Sequence, residues 1–208
     1  MDVYEAIANR RTIRDFSGRR IAKAVVRKIV AAGLRAPSNN HMRQWEFIIV
    51  DDQDTRMQTI AQINHRLTQK DSQRIIDKWG LKDGFQREMY LDAIPKQHRM
   101  LLEAACLIIP CFHQEVPLLK PKSLSSLNGF ASIWCCIENM LLAASAEGIY
   151  GVTRIPFDKE IPCIRGVLGI PDDYAIPCYL ALGYPAQELP SIHQHKVKPQ
   201  EKVHFNRW

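Results

Sequence analysis

Three guanidinium groups and a hydroxyl fall within five residues at Arg10-Arg11-Thr12-Ile13-Arg14. Arginine presents a planar fork of donors that matches phosphate or carboxylate oxygens, and a hydroxyl adds one more donor at short range. The stretch is a candidate anion socket, with a solvated basic patch as the alternative. A second polar cluster, Ala36-Pro37-Ser38-Asn39-Asn40-His41-Met42-Arg43-Gln44-Trp45, carries side chains suited to hydrogen-bonding the heteroatoms of a flat ring. Pro, Ser and Asn are also the ordinary residues of turns. His65, His98 and His113 lack any mutual spacing that suggests metal ligation, and His193 with His195 lies in a polar tail, so no metal is expected. Glycine is scarce before Gly148, which argues against a dinucleotide fingerprint or a phosphate loop.

Both clusters sit between elements legible from periodicity. Asp2 followed by Glu5 forms a capping-box-like start for a helix carrying Val3, Tyr4, Ile7 and Ala8, which ends where the arginines begin. Beyond Ser17-Gly18, the residues Ile21, Val25, Ile29, Val30 and Leu34 recur at helical spacing, in a helix that stops before Pro37. Phe47-Ile48-Ile49-Val50 reads as a buried strand, and a third helix is expected over 54–67. From Gln69 to Arg99 the chain is charged and only patchily helical; Trp79, Phe85 and Tyr90 are candidates for a lid over a substrate or for packing between helices.

Ala105 to His113 reads as a second strand in which Pro110 implies an edge or a bulge. Ser125 to Glu147 is a long Pro-free helix, apolar nearly all round, which suits a central helix and a dimer interface. Gly151 to Ile155 is extended, a helix over 158–168 is interrupted by Pro162, and Ala175 to Tyr184 forms another strand. The tail ends Val203-His204-Phe205-Asn206-Arg207-Trp208, an aromatic terminus that suggests docking.

At 208 residues the chain suits one domain. Its formal charge of +6 is spread among acidic residues with no dense basic run, so no nucleic-acid partner is expected. The N-terminus has no apolar signal core and no run approaches the roughly 18 apolar residues that span a bilayer, which points to a cytoplasmic protein without a membrane partner. Six cysteines without a C-x-x-C pair read as reduced core thiols.

In order and separation, these pieces resemble the FMN-dependent nitroreductase superfamily. Its members open with an R-R-S/T-x-R element, here Arg10 to Arg14, followed by a helix and an A-P-S element running to a Trp, here Ala36 to Trp45. The resemblance continues through Glu147-Gly148-Ile149, Val152 to Pro156, Leu168 to Pro171, Ala181 to Pro185 and the aromatic tail. It implies an α+β, nitroreductase-like fold: a central, mostly antiparallel sheet surrounded by helices, with a long central helix and a tail from about residue 190 that embraces a second subunit. Residues 70–100 would be a lid or dimer-edge insertion within a single domain.

The resemblance also implies a cofactor, FMN. Arg10, Arg11, Thr12 and Arg14 match the element that holds its phosphate and ribityl chain, and Lys196 or Lys198 falls where a basic tail residue completes the phosphate site. Pro37, Ser38, Asn39 and Asn40 match the loop beside the flavin ring, usually from the other subunit. Thr153, Arg154 and Ile155 match the segment that approaches the ring near its reactive nitrogen. The common N-x-Q-P-W ending is replaced by His41-Met42-Arg43-Gln44-Trp45, and His41 resembles the histidine of a P-S-x-x-H version in the dehalogenating branch. Residues 69–99 show no match to the substrate-binding residues of that branch.

The implied activity is hydride transfer from NAD(P)H through bound FMN to a nitroaromatic, quinone or related small-molecule acceptor, in a homodimer working by a ping-pong cycle. No catalytic side chain is required, since the flavin carries the chemistry. The alternatives are reductive dehalogenation, flavin fragmentation, or flavin binding without turnover.

Overall fold

Side chains that alternate along one buried strand organise the molecule. In a computed structural model, which describes residues 1–187 and 197–208, strand β2 (Cys106–His113) places Leu107, Ile109 and Cys111 in one core and Cys106, Ile108 and Phe112 in another. Strand β5 (Tyr179–Gly183) does the same, with Tyr179 and Ala181 opposed to Leu180 and Leu182. An apolar run this continuous fits a strand covered on both faces. The sheet order is β1 (Trp45–Ile49), β2, β5, β3 (Tyr150–Arg154), with the short β4 (Tyr174–Ala175) also beside β2, and every pairing is antiparallel.

On one face lie Val26 and Ile29 of α2 (Lys23–Gly33) and Ile133, Cys136, Ile137 and Met140 of α6 (Asn128–Ala146). The other face holds Ile60 and Ile63, which follow α3 (Gln53–Thr59), with Met100 and Leu101 of α5 (Gly84–Glu103) and Ile164 of α7 (Ile161–Leu168). Helix α1 (Val3–Asn9) opens with the expected capping box of Asp2 and Glu5, and α4 (Gln69–Lys78) opens with another, made by Thr68 and Asp71. The stretch Leu124–Ala146 has the length and mean hydropathy (1.3) of a membrane span, yet its apolar side packs into the second core.

Four expectations need correction. Pro110 is not at an edge: β2 lies between β1 and β5. The His113 amide and the Leu107 carbonyl both bond toward β1, so odd residues of β2 face that strand and Pro110 faces away. There it falls between Ile108, paired with β5, and Phe112, paired with β4, where no ladder bond is lost. The third helix ends at Thr59 because the chain turns tightly, Ile63 N to Ile60 O, to bring both isoleucines into the core. Pro162 is the second residue of α7 and does not interrupt it, lying in the first turn where no amide is needed. The strand expected over 175–184 is split into β4 and β5 by Ile176-Pro177. Residues 69–99, patchy in sequence, form α4 and most of α5, whose Pro95 lies inside the helix.

Candidate functional site

The arginine cluster leaves α1 as an extended arm along the open edge of β3. Thr12 bridges in parallel to Gly151, and the Ile13 amide donates to the Gly151 carbonyl at 3.3 Å. Farther on, the Ser17 amide donates to Tyr184 O at 2.9 Å. Two glycines permit close packing here, Gly151 of β3 against β5 and Gly183 of β5 against the arm. A Cβ on Gly151 would stand 2.7 Å from the Ala181 carbonyl, and one on Gly183 would stand 2.5 Å from the Phe16 ring. Ile13 and Phe16 are therefore buried, which leaves Thr12 exposed and Arg14 at an intermediate depth.

Arm, strand and helix close around one cavity of about 540 Å³. Its walls are Phe85, Met89, Tyr90 and Met100 of α5, the segment Val152 to Ile155, Phe157 and the Arg14 side chain. Such a volume, largely apolar with a few polar groups, suits a small flat molecule. Burial pulls Arg14 below the ordinary arginine pKa against the opposing pull of Asp92, Asp15 and Tyr90, and Arg14 Nη1 lies 3.6 Å from Asp92 Oδ2. Phe85 and Tyr90 line the cavity, while Trp79 packs edge-on against Tyr90 at 5.4 Å.

The end of β3 is pinned by a buried ion pair. Arg154 Nη1 and Nη2 donate to Glu160 Oε2 and Oε1 at 2.6 and 2.8 Å, and its Nε donates to Gln97 at 2.9 Å. Tyr179 OH donates to the same carboxylate at 3.3 Å; burial first, and Glu160 second, raise its pKa, so it remains a donor. The Arg154 guanidinium is committed within the protein to Glu160 and Gln97, and Thr153, Arg154 and Ile155 border the cavity as the end of β3 and the residue after it.

The structure does not bring every candidate residue to this place. Arg10 Nε pairs with Glu138 of α6 at 3.3 Å. Arg11 turns back to cap the end of α1, donating to the Ala8 and Arg10 carbonyls. Pro37 lies in the loop whose residues Ser38, Asn39 and Asn40, with Arg43, line a separate hollow of about 320 Å³ that shares no residue with the first. The loop is held by the Asn39 amide on Ser132 Oγ (3.0 Å) and the Arg43 amide on Ser38 Oγ (3.2 Å). Asn40, His41 and Arg43 all have positive φ, between 47° and 57°, a strained run of the kind that marks ligand-facing loops. Lys198 is exposed and pairs with Glu201 at 3.6 Å. Lys196, His193 and His195 lie outside the described residues.

With this geometry in place, comparison with known proteins is decisive on the family. The model of the nitroreductase family matches residues 7–184, which spans the arm, both hollows and the whole sheet. The chain belongs to the nitroreductase family. Among its relatives, iodotyrosine deiodinase of Nematostella vectensis is 25% identical over 206 residues, 97% of this chain and 74% of that protein. A protein of Methanothermobacter thermautotrophicus, named provisionally as an NADH dehydrogenase/NAD(P)H nitroreductase, is 27% identical over 100% of this chain and 88% of its own length. An iodotyrosine deiodinase solved with FMN and 3-iodo-L-tyrosine superposes with a TM-score of 0.72 at 19% identity, covering 100% of both chains. At that identity the superposition speaks to the fold, an α+β nitroreductase-like sheet enclosed by helices.

Sequence reasoning missed most of the cavity wall. Met89, Ala93, Gln97 and Met100 repeat at helical spacing and would have marked one face of α5, but Pro95 and the surrounding charge obscure it. Glu160 gave no signal at all, since only the fold sets it against Arg154.

Proposed function

We propose that the chain is an FMN-dependent oxidoreductase in which the cavity of one subunit and the loop Pro37–Asn40 of a second copy share one cofactor. The observation that carries this is the convergence of Arg14 and Thr153–Ile155 on a single aromatic-walled cavity, with Ser38–Asn40 facing a different hollow of the same chain. The lining suits FMN: the Arg14 cation and the segment Val152–Ile155 border an aromatic-walled cavity, and Arg10, Arg11 and Thr12 precede Arg14 on one arm.

When bound, FMN accepts a hydride from NAD(P)H and passes electrons to a nitroaromatic, quinone or related acceptor. The chain's own residues supply the surroundings. Arg14, at the cavity wall, would supply positive charge to stabilise the anionic reduced flavin. Phe85, Tyr90 and Phe157 give the cavity its aromatic walls, and the Arg154–Glu160 pair fixes the end of β3 that borders it. One domain carries this half-site, with residues 70–100 as its lid. Homodimerisation is supported by exposed apolar side chains: Val3, Tyr4 and Ile7 on α1, and Phe205 and Trp208 on the tail, Trp208 being fully exposed in the single chain.

The similarity to iodotyrosine deiodinases over most of this chain, together with His41, favours a second reading, reductive dehalogenation of a halogenated aromatic substrate. The test common to both is the absorbance spectrum of purified protein. A flavin band bleached by NADH or NADPH is expected, and anaerobic turnover of nitroaromatic, quinone and halotyrosine substrates then separates the two. A colourless protein that fails to take up added FMN refutes both.

A further inference from the structure

Arg14 ends a row of alternating charges. Asp92 Oδ2 faces it at 3.6 Å, and Asp92 Oδ1 takes Lys96 Nζ at 2.5 Å. Lys96 also reaches Asp15 Oδ2 at 2.5 Å, and Asp15 Oδ1 accepts from Arg99 Nη2 at 2.5 Å. Arg99 Nε in turn lies 3.8 Å from Glu103. The row ties the arm, through Asp15, to α5, the helix that walls the cavity. Its outer members Arg99 and Glu103 are half exposed and screened by solvent, whereas the Arg14 and Lys96 side chains are only 20% and 25% exposed. Burial opposes the charge on Lys96, but the Asp15 and Asp92 carboxylates outweigh it and hold the ammonium above the usual lysine pKa.

The positive potential at the cavity therefore depends on how one carboxylate is divided between two cations. Asp92 shared with Lys96 neutralises Arg14 only in part. We infer that Asp92 and Lys96 are positioning residues that set the positive potential Arg14 delivers to the cavity, and through it the reduction potential of bound FMN. The inference rests on the FMN assignment proposed above. It differs from a purely structural role, in which the row serves only to dock α5 on the arm.

The two roles diverge in sign. Reduction by dithionite as electron donor follows FMN + 2 e⁻ + H⁺ → FMNH⁻, so the ring gains one negative charge. Asp92→Asn removes a negative charge beside Arg14 and favours the reduced form. Lys96→Met removes a positive charge and favours the oxidised form. A unit charge about 12 Å away, the order of the reach across Arg14, changes such an equilibrium by about tenfold at an effective dielectric of about 20. For a two-electron couple that is about 30 mV.

The experiment is a dye-referenced anaerobic reductive titration of the holoprotein and its Asp92→Asn, Asp92→Glu and Lys96→Met variants, with circular dichroism as the check on folding. The expected result is an upward shift for Asp92→Asn, a downward shift for Lys96→Met and a near-native value for Asp92→Glu. Shifts of the same sign, or none, overturn the inference while leaving the FMN assignment standing. A wild-type protein that binds no FMN overturns both and is recognised before any titration. Should Asp92→Asn not fold, Lys96→Met against Lys96→Arg carries the same test, with a downward shift expected only for the former.

Discussion

Glu160→Ala is the perturbation whose consequence the structure fixes most closely. Glu160 is 2% exposed and Arg154 7%, and the carboxylate accepts two bonds from the guanidinium at 2.6 and 2.8 Å and one from Tyr179 at 3.3 Å. Truncating it leaves a buried guanidinium with Gln97 and the neighbouring Phe157 and Tyr179 rings, at 5.4 and 5.5 Å, as its remaining partners. Removing one member of a buried pair costs about 3–5 kcal/mol. At about 2–4 °C per kcal/mol for a chain of this size, the midpoint should fall by about 6–20 °C. Thermal melts by circular dichroism at fixed protein concentration measure it. Because the loss comes from the stranded charge and not from missing attraction, Arg154→Met combined with Glu160→Leu should recover to within about 2 kcal/mol of wild type. A midpoint for Glu160→Ala unchanged from wild type, or a double variant no better than the single one, would refute the reasoning.

Other outcomes follow from the same geometry. Arg56 is buried and donates to the carbonyls of Val50, Leu102 and Ala104, joining the end of β1 to the end of α5, so Arg56→Met should cost at least about 3 kcal/mol in urea denaturation through orphaned acceptors. Burial pushes the thiols of Cys106, Cys111 and Cys136 up to about 12 and raises Cys178 as well, so at pH 8 only about one in 10⁴ of the first three is thiolate. Iodoacetamide followed by mass spectrometry should therefore label the exposed Cys135 first in native protein, with the four buried thiols reacting only after unfolding or as the pH is raised.

Much of this fold is written in short-range patterns. The apolar run of β2, the all-round hydrophobicity of α6 and the Asp2–Glu5 cap each depend on near neighbours and appear where the sequence places them. What eluded it is long-range. Pro110 looked like an edge residue because sequence cannot reveal that β5 ends and β4 begins on either side of it. The arm's guanidinium groups looked alike, yet Arg10 meets Glu138, Arg11 caps its own helix and Arg14 alone of the three lines the cavity. Of the site, the arm and the segment Thr153–Ile155 were legible as motifs. The α5 wall, the Glu160 anchor and the Asp92–Lys96 pair depend on chain segments that only folding brings together.

The proposed shared site, with the arm that carries Arg14 from one subunit and Pro37–Asn40 from another, is tested most directly by complementation. One chain carries Arg10→Ala with Arg14→Ala, and the other carries Asn39→Trp with Asn40→Asp, a pair that adds bulk and charge while keeping a residue tolerant of positive φ at position 40. Each homodimer should bind essentially no FMN. A heterodimer isolated through two different tags should recover one flavin site, since one arm and one loop remain intact across the interface, and flavin absorbance per dimer reads it out. A heterodimer as colourless as its parents, or a loop-variant homodimer with full flavin, would contradict the account.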